Sequence, residues 1–397
     1  DGTDRPLMWR NLASNILSLL IVALVLLAGV IAWGQRQYVA EGPLAEAICL
    51  QIPPGSNMIR VADDLVDKGA VTSATIYRLG ADYSEKSQDL KAGSFLIQPK
   101  SSMEEIVGSI TGDGLSTCGT EVIYQISVAS QNMRVRELNP NTQDFEIVSE
   151  FDPVGLEGEV PEAYTRALDD VATRYRVVVA EGVTSWQVVN AISNSDLFAG
   201  EVTETPDEGS LAPDGYEIRP AEDRQEFINE MVSLQTERLF AAWGERASDA
   251  PVETPQEALI LASIIEKETS VPDERRVVAS VFANRLEQGI RLQTDPTVIY
   301  GITRGEGTLG RGIRQSELRR ETPWNTYVID GLPPTPIANP GQAAIEAALN
   351  PDETDYIFFV ADGTGGHAFA ETLAEHNRNV ARWREIEAER AAQRSNN

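Results

Sequence analysis

The stretch Leu261–Gly301, LASIIEKETSVPDERRVVASVFANRLEQGIRLQTDPTVIYG, decides the reading of this chain. Its apolar residues recur at helical spacing, which predicts a helix over 257–269 that stops at Thr269–Ser270. Pro272, Asp273 and Glu274 then open a second helix over 273–288, and Gly289 ends it. On the first helix the same-face neighbours of Glu268 are Ile265, Ile264 and Leu261, three, four and seven residues earlier. Glu268 therefore projects from the apolar face. Glu266 lines up instead with Ser263, Ala262 and Leu259, a less apolar stripe. The two glutamates lie about 200° apart around the helix and cannot form a carboxylate pair. A carboxyl on an apolar face loses hydration, which disfavours the anion and raises its pKa. A general acid working near neutrality needs that property. The alternative is that Glu268 reaches water at the helix end, or pairs with Arg275 or Arg276.

Beyond the second helix, IRLQTDPTVIYG (Ile290–Gly301) sets Gln293, Thr294 and Asp295 before Pro296, which biases Asp295 toward an extended backbone. Three polar side chains bracketed by Leu292 and Val298 suit recognition of hydroxyls and amides. They equally suit an Asx-type turn before a strand. ETPWNTYVIDGLPPTPIANPG (Glu321–Gly341) adds Trp324, Asn325, Tyr327 and a proline-rich loop. Such aromatics and amides are usual in sugar-binding clefts and in ordinary structured loops alike. YIFFVADGTGGHAFAET (Tyr356–Thr372) reads as a buried strand running into a glycine loop with His367. GTGG is not a phosphate-binding loop, because no Lys-Ser/Thr follows and no helix opens there. A lone histidine of this kind is more often structural than catalytic.

Toward the N-terminus, no charge falls between Arg10 and Arg36. Residues 15–34 are long enough to span a hydrocarbon core as a helix. The run is too long for a typical signal-peptide core and no A-x-A cleavage site follows, so a retained transmembrane anchor is expected. Arg5 and Arg10 outnumber Arg36, which puts residues 1–14 in the cytoplasm and the rest of the chain outside it. Residues 41–111 read as a small α/β unit. Its helix MIRVADDLVDKG turns Ile59, Val61, Leu65 and Val66 inward, and SSMEEIVGSI starts on a serine cap. Residues 174–244 repeat the strand–helix–strand–helix order, which suggests a duplicated module. Between them, 112–173 is an insertion of alternating, strand-like runs. The polar, proline-containing 245–256 reads as a linker to a mainly helical region, 257–390. Its later helices are expected over 341–349 and 371–390, the last solvated.

Composition bounds the function. The 397 residues carry 33 Lys+Arg against 61 Asp+Glu, a net charge of −28, which argues against a nucleic-acid partner. Two cysteines, Cys49 and Cys118, exclude a disulfide framework and a four-cysteine metal site. His367 and His376 are too few for a histidine-based metal centre. Neither a metal nor a cofactor is expected.

SIIEKET, NRL, LQTDPTVIYG, ETPWNTY-x₃-GLPPTPI and FFVADGTGGHAF together resemble the YceG-like endolytic murein transglycosylases. The likeness is close over 257–385 and looser upstream, where IPPGSNMIRVADDLVDKGAV and LKAGSFLIQP look like that family's LysM-like peptidoglycan-binding module. The length of 112–173 departs from the pattern. The resemblance implies an α+β chain, with a single N-terminal transmembrane helix, LysM-like α/β modules and a lysozyme-related, mainly helical catalytic domain. It implies cleavage of the β-1,4 bond from N-acetylmuramic acid to N-acetylglucosamine inside glycan strands, with the muramyl 6-hydroxyl attacking its own C1. One glutamate serves both proton transfers. Lysozyme-like transglycosylases carry it in a Glu-Ser or Glu-Thr pair after an apolar run, which Glu268-Thr269 matches and Glu266-Lys267 does not. Gln293, Thr294, Asp295, Asn325, Tyr327 and His367 carry over as substrate-cleft candidates. Peptidoglycan strands are the implied partner, with penicillin-binding proteins as neighbours, at the periplasmic face of a bacterial inner membrane. The competing readings are a muramidase using Glu268 with Asp295, and an inactive wall-binding scaffold.

Overall fold

Side-chain caps set many of the helix starts in this chain. The computed structural model describes residues 5–112, 118–154, 158–170 and 172–395, with side chains from Asn15 to Ala392 and Gln393. Two compact units emerge. The first holds the described residues up to Val122 with Val135–Glu150 and Glu159–Arg174; the second holds Ile123–Arg134, Phe151–Gly158 and the described residues from Tyr175 onward.

In the first unit, α1 (Arg5–Val39) contains the apolar span Asn15–Val39, of mean hydropathy 2.9 and with none of it buried. A membrane anchor and a signal sequence both have this character. Strand β1 (Ile48–Ile52), helices α2 (Met58–Asp67) and α3 (Ala74–Tyr83), strand β2 (Gly93–Ile97) and helix α4 (Met103–Thr111) follow. Asn57, Ser73 and Ser102 cap the three helices, Ser102 in a reciprocal box with Glu105. β1 and β2 pair antiparallel, Leu50 opposite Phe95, and bury that face against the helices. On α2 the buried stripe is Met58, Val61, Ala62 and Leu65, while Ile59 and Val66 are 52% and 38% exposed. The expected inward set is thus half right: residues 59 and 66 sit about 100° off the stripe. The Tyr38 ring packs so close to Gly80 of α3 that a Cβ there would stand 2.1 Å from it. Cys49 and Cys118 form a disulfide with a Cα–Cα distance of 5.5 Å.

Strands β3 (Thr120–Ile126), β4 (Gln131–Leu138) and β5 (Phe145–Phe151) and helix α5 (Glu162–Asp169) occupy the expected insertion. They are followed by β6 (Arg174–Val179), α6 (Ser185–Asn194), β7 (Phe198–Ala199), β8 (Gly215–Ile218), β9 (Glu222–Asp223) and α7 (Arg224–Gly244). The strand order of the largest sheet is β5-β4-β3-β6-β8. β6 and β8 pair antiparallel, as β1 and β2 do, and short β7 and β9 pair parallel.

The helical part of the second unit runs through α8 (Pro255–Glu268), α9 (Arg275–Glu287), α10 (Asp295–Thr303), α11 (Gln315–Leu318) and α12 (Gln342–Leu349). The hairpin β10 (Phe358–Ala361) and β11 (His367–Ala370) and helix α13 (Leu373–Ser395) complete it. Thr254 caps α8 in a box with Glu257, and Pro255 opens its first turn. Leu261, Ile264 and Ile265 of α8, Val278 and Phe282 of α9 and Ile345 of α12 share one core. Leu239, Ala242 and Val252 belong to that core too, so no unit boundary falls at 245–256; its polar residues form a surface connection. After Thr294 the chain is helical rather than a strand. Thr294 is the extended residue (φ −116°, ψ 127°), Asp295 is the first helical one, and Pro296 fits the first turn, where its missing N–H is not needed.

Candidate active site

Helix α8 is buried on every side from Ala258 to Ile265. The stripe leading to Glu266 is therefore as covered as the one leading to Glu268, contrary to the contrast drawn from sequence. The two carboxyls differ in what they meet. Glu266 accepts the Gly341 N–H at 3.0 Å, just before α12, and is raised in pKa by burial and by the neighbouring Glu181 charge. Glu268 lies where the helix ends, beside a cleft of about 470 Å³ that it lines with Thr269, Gly366, His367, Trp383 and Arg390. Burial pushes its carboxyl above the ordinary carboxylic range. A hydrogen bond donated by the Thr294 hydroxyl to Oε1 opposes that, the charge of Asp295 adds to it, and His367 and Arg285 counter it.

A threonine network holds Thr294 in place. Its N–H donates to Thr326 Oγ1 at 3.0 Å, and its carbonyl accepts the Thr297 hydroxyl at 2.7 Å. The Thr297 and Thr326 hydroxyls lie 2.8 Å apart, and all three threonines are buried. Gln293, one residue earlier, has φ +49° and donates its N–H to the Thr326 carbonyl at 3.2 Å; its side chain is exposed. A non-glycine residue held in the left-handed region stores strain that the surroundings must hold. Asp295 is exposed and accepts the Tyr327 hydroxyl at 2.7 Å. Burial and that bond keep the Tyr327 phenol protonated well above its usual range.

The other candidates divide. Asn325 is buried and donates to the carbonyls of Glu317, Leu318 and Arg320, the last at 2.7 Å, while its own oxygen accepts the Tyr327 N–H. It shapes the loop that carries Tyr327. The Trp324 ring is stacked by the Arg304 guanidinium at 3.9 Å, and its Nε1 donates to Thr335. His367 opens β11 on the cleft wall, with Nδ1 2.8 Å from Glu274.

Two features escape the sequence reading. Arg285 is buried under the site, donating to the carbonyls of Ile357 and Leu292 and adding a positive charge near Glu268. Its same-face neighbours on α9 are Val278, Val281 and Phe282, all buried, so the test that singles out Glu268 singles out Arg285 as well. Helix α13 is not simply solvated. Trp383 and Ile386 pack on Gly363, and Arg390 donates to the Gly363 carbonyl. Their spacing, 383, 386 and 390, is a helical stripe legible in the sequence.

A cavity of about 1160 Å³ lies elsewhere, among Asp249, Glu253, Arg276, Glu287 and Asp352, and none of the candidate residues lines it. Among the described residues, no group of three His, Cys, Asp or Glu side chains is gathered to hold a metal.

At the end of α8, then, a carboxyl raised in pKa by burial lines an open cleft. Residues 157–382, more than half of the chain, match the YceG-like family, and the chain belongs to it. The endolytic murein transglycosylase of Bacillus subtilis (strain 168) is 36% identical over 184 residues, 46% of this chain and 49% of the relative. The endolytic murein transglycosylase of Streptococcus pneumoniae (serotype 2, strain D39 / NCTC 7466) is 27% identical over 384 residues, 93% of this chain and 65% of the relative. The matched chain thus spans from about half to just under two thirds of these relatives' length. A crystal structure of a YceG-like protein from Listeria monocytogenes is 25% identical, with a TM-score of 0.46, covering 84% of this chain and 98% of that one.

Proposed function

We propose that this protein is a membrane-anchored endolytic transglycosylase of peptidoglycan. It cleaves the β-1,4 bond from N-acetylmuramic acid to N-acetylglucosamine within glycan strands and leaves 1,6-anhydro-muramyl ends, ending nascent strands beside the penicillin-binding synthases. The observation that carries this reading is the Glu268 carboxyl, desolvated at the end of a buried helix and lining an open cleft. With Oε1 engaged by the Thr294 hydroxyl, Oε2 is left to carry the proton. The protonated acid gives it to the leaving glycosidic oxygen as the C1–O bond breaks. The carboxylate then takes the proton of the muramyl 6-hydroxyl as that oxygen bonds to C1, which restores the acid and consumes no water. Tyr327 and Asp295 are placed in this reading at the sugar, with Gln293 beside them.

The apolar span of α1 serves as a retained anchor, with the glycan-cutting part outside the cytoplasm. The disulfide from Cys49 to Cys118 supports that side of the membrane, since such bonds persist in oxidising compartments. Residues 41–111 act as the LysM-like glycan-binding module and 257–390 as the lysozyme-related catalytic region. The test is mass spectrometry of glycan digested by the full chain. Anhydro-muramyl ends support the reading. Ends carrying an added water would move it to a muramidase in which Asp295 assists Glu268, and binding without cleavage would leave a scaffold.

A further inference from the structure

Glu274 forms a polar clasp at the edge of the cleft. Its Oε1 accepts the His367 backbone N–H at 2.9 Å, and its Oε2 lies 2.8 Å from His367 Nδ1. The two side chains are only 20% and 15% exposed. Gly366 passes so near that a Cβ there would stand 2.3 Å from Glu274 Oε1. Phe359 stands edge-on to the imidazole at 5.3 Å and Phe369 lies tilted at 6.2 Å, which limits rotation of the ring. A carboxylate only accepts hydrogen bonds, so Nδ1 must hold the hydrogen. In the neutral ring Nε2 is then left with a lone pair. Among the described residues nothing hydrogen-bonds to Nε2, and His367 lines the same cleft as Glu268. In an imidazole the hydrogen bond made at one nitrogen sets the tautomer and with it the role of the other.

We propose that Glu274 is a positioning residue that fixes the His367 ring as the Nδ1–H tautomer, so that Nε2 accepts a hydrogen bond from an N-acetyl N–H, a group that can only donate, of a glycan lying against Glu268. The glycan half of this rests on the transglycosylase reading; the tautomer half does not. Glu274→Gln keeps the shape and the acceptor for the His367 N–H, but its amide donates to Nδ1. That inverts the tautomer and turns Nε2 into a donor.

The chain has two histidines, so imidazole nitrogen spectra of the full chain in detergent at pH 8 resolve them, with His376→Gln assigning the pair. The expected result is Nδ1–H for His367 in the wild type and Nε2–H in Glu274→Gln. For glycan cleavage, Glu274→Gln should raise KM about 10-fold, the worth of one buried hydrogen bond, with a smaller change in kcat. Glu274→Asp should recover part of the loss. An Nε2–H or doubly protonated ring in the wild type overturns the proposal, as does wild-type KM in Glu274→Gln. A wild type that leaves glycan uncut removes the transglycosylase reading and the glycan half with it, whatever the ring spectrum shows.

Discussion

Replacing Glu268 by glutamine should make the protein more stable, and increasingly so as pH rises. The folded carboxyl has a pKa above 4.5, its ordinary value, chiefly because burial disfavours the anion. Between that ordinary value and the raised one, the folded chain holds a proton that the unfolded chain has released. Stability then falls with pH, by about 1.4 kcal/mol per pH unit for one group. Glutamine has the same shape, can accept from Thr294, and does not titrate. The wild-type and variant unfolding energies should therefore agree below pH 4.5 and diverge above it with that slope. The divergence levels off at the folded pKa. Taking the difference cancels other carboxylates whose pKa is the same in both proteins. The assay is urea unfolding of the full chain in detergent, followed by tryptophan fluorescence from pH 4 to 8.5; Trp243 and Trp324 pack on the core that contains α8. A difference curve that stays flat, or that slopes the other way, refutes the desolvation argument for Glu268.

Other expectations follow from single contacts. Thr294→Val removes the hydroxyl that favours the Glu268 anion, so the alkaline limb of the kcat/KM profile should move to higher pH, with kcat/KM about 10-fold lower. Arg285→Met leaves the carbonyls of Ile357 and Leu292 without their buried donor, and denaturant unfolding should show a loss of about 3 kcal/mol. Replacing Cys49 and Cys118 by serine opens a loop with a sequence separation of 69 residues. Chain entropy puts that loss at about 4 kcal/mol, readable as a lower melting temperature of the first unit.

Much of the helical region is legible in the sequence because period and punctuation agree there. The expected helix over 257–269 corresponds to Pro255–Glu268, and that over 341–349 to Gln342–Leu349, each within two residues. Thr254, Pro255 and Glu257 spell out the first of these starts. The errors have physical causes. QTDPTVIYG looks strand-like by its β-branched residues, yet Pro296 is at home in a first helical turn, and tertiary packing of Val298 carries the helix on. The burial contrast between Glu266 and Glu268 fails because α8 is enclosed on all faces, so amphipathicity cannot rank its side chains. Asn325 looks like a sugar-binding amide because type alone says nothing of partners; its donors are taken by three loop carbonyls. The Glu274–His367 contact spans 93 residues, and no local pattern announces a pair that distant.

The proton economy of Glu268 is tested most directly by counting anhydro-muramyl ends released from one purified glycan by the wild type and by Glu268→Gln, with folding of the variant shown by the unfolding curves above. In the proposed mechanism Glu268 both donates and accepts the proton, so its loss should lower the rate by at least about 10²–10⁴-fold. Ends forming within a few-fold of the wild-type rate would contradict it, and the acid would have to be sought among the other carboxyls of the second unit.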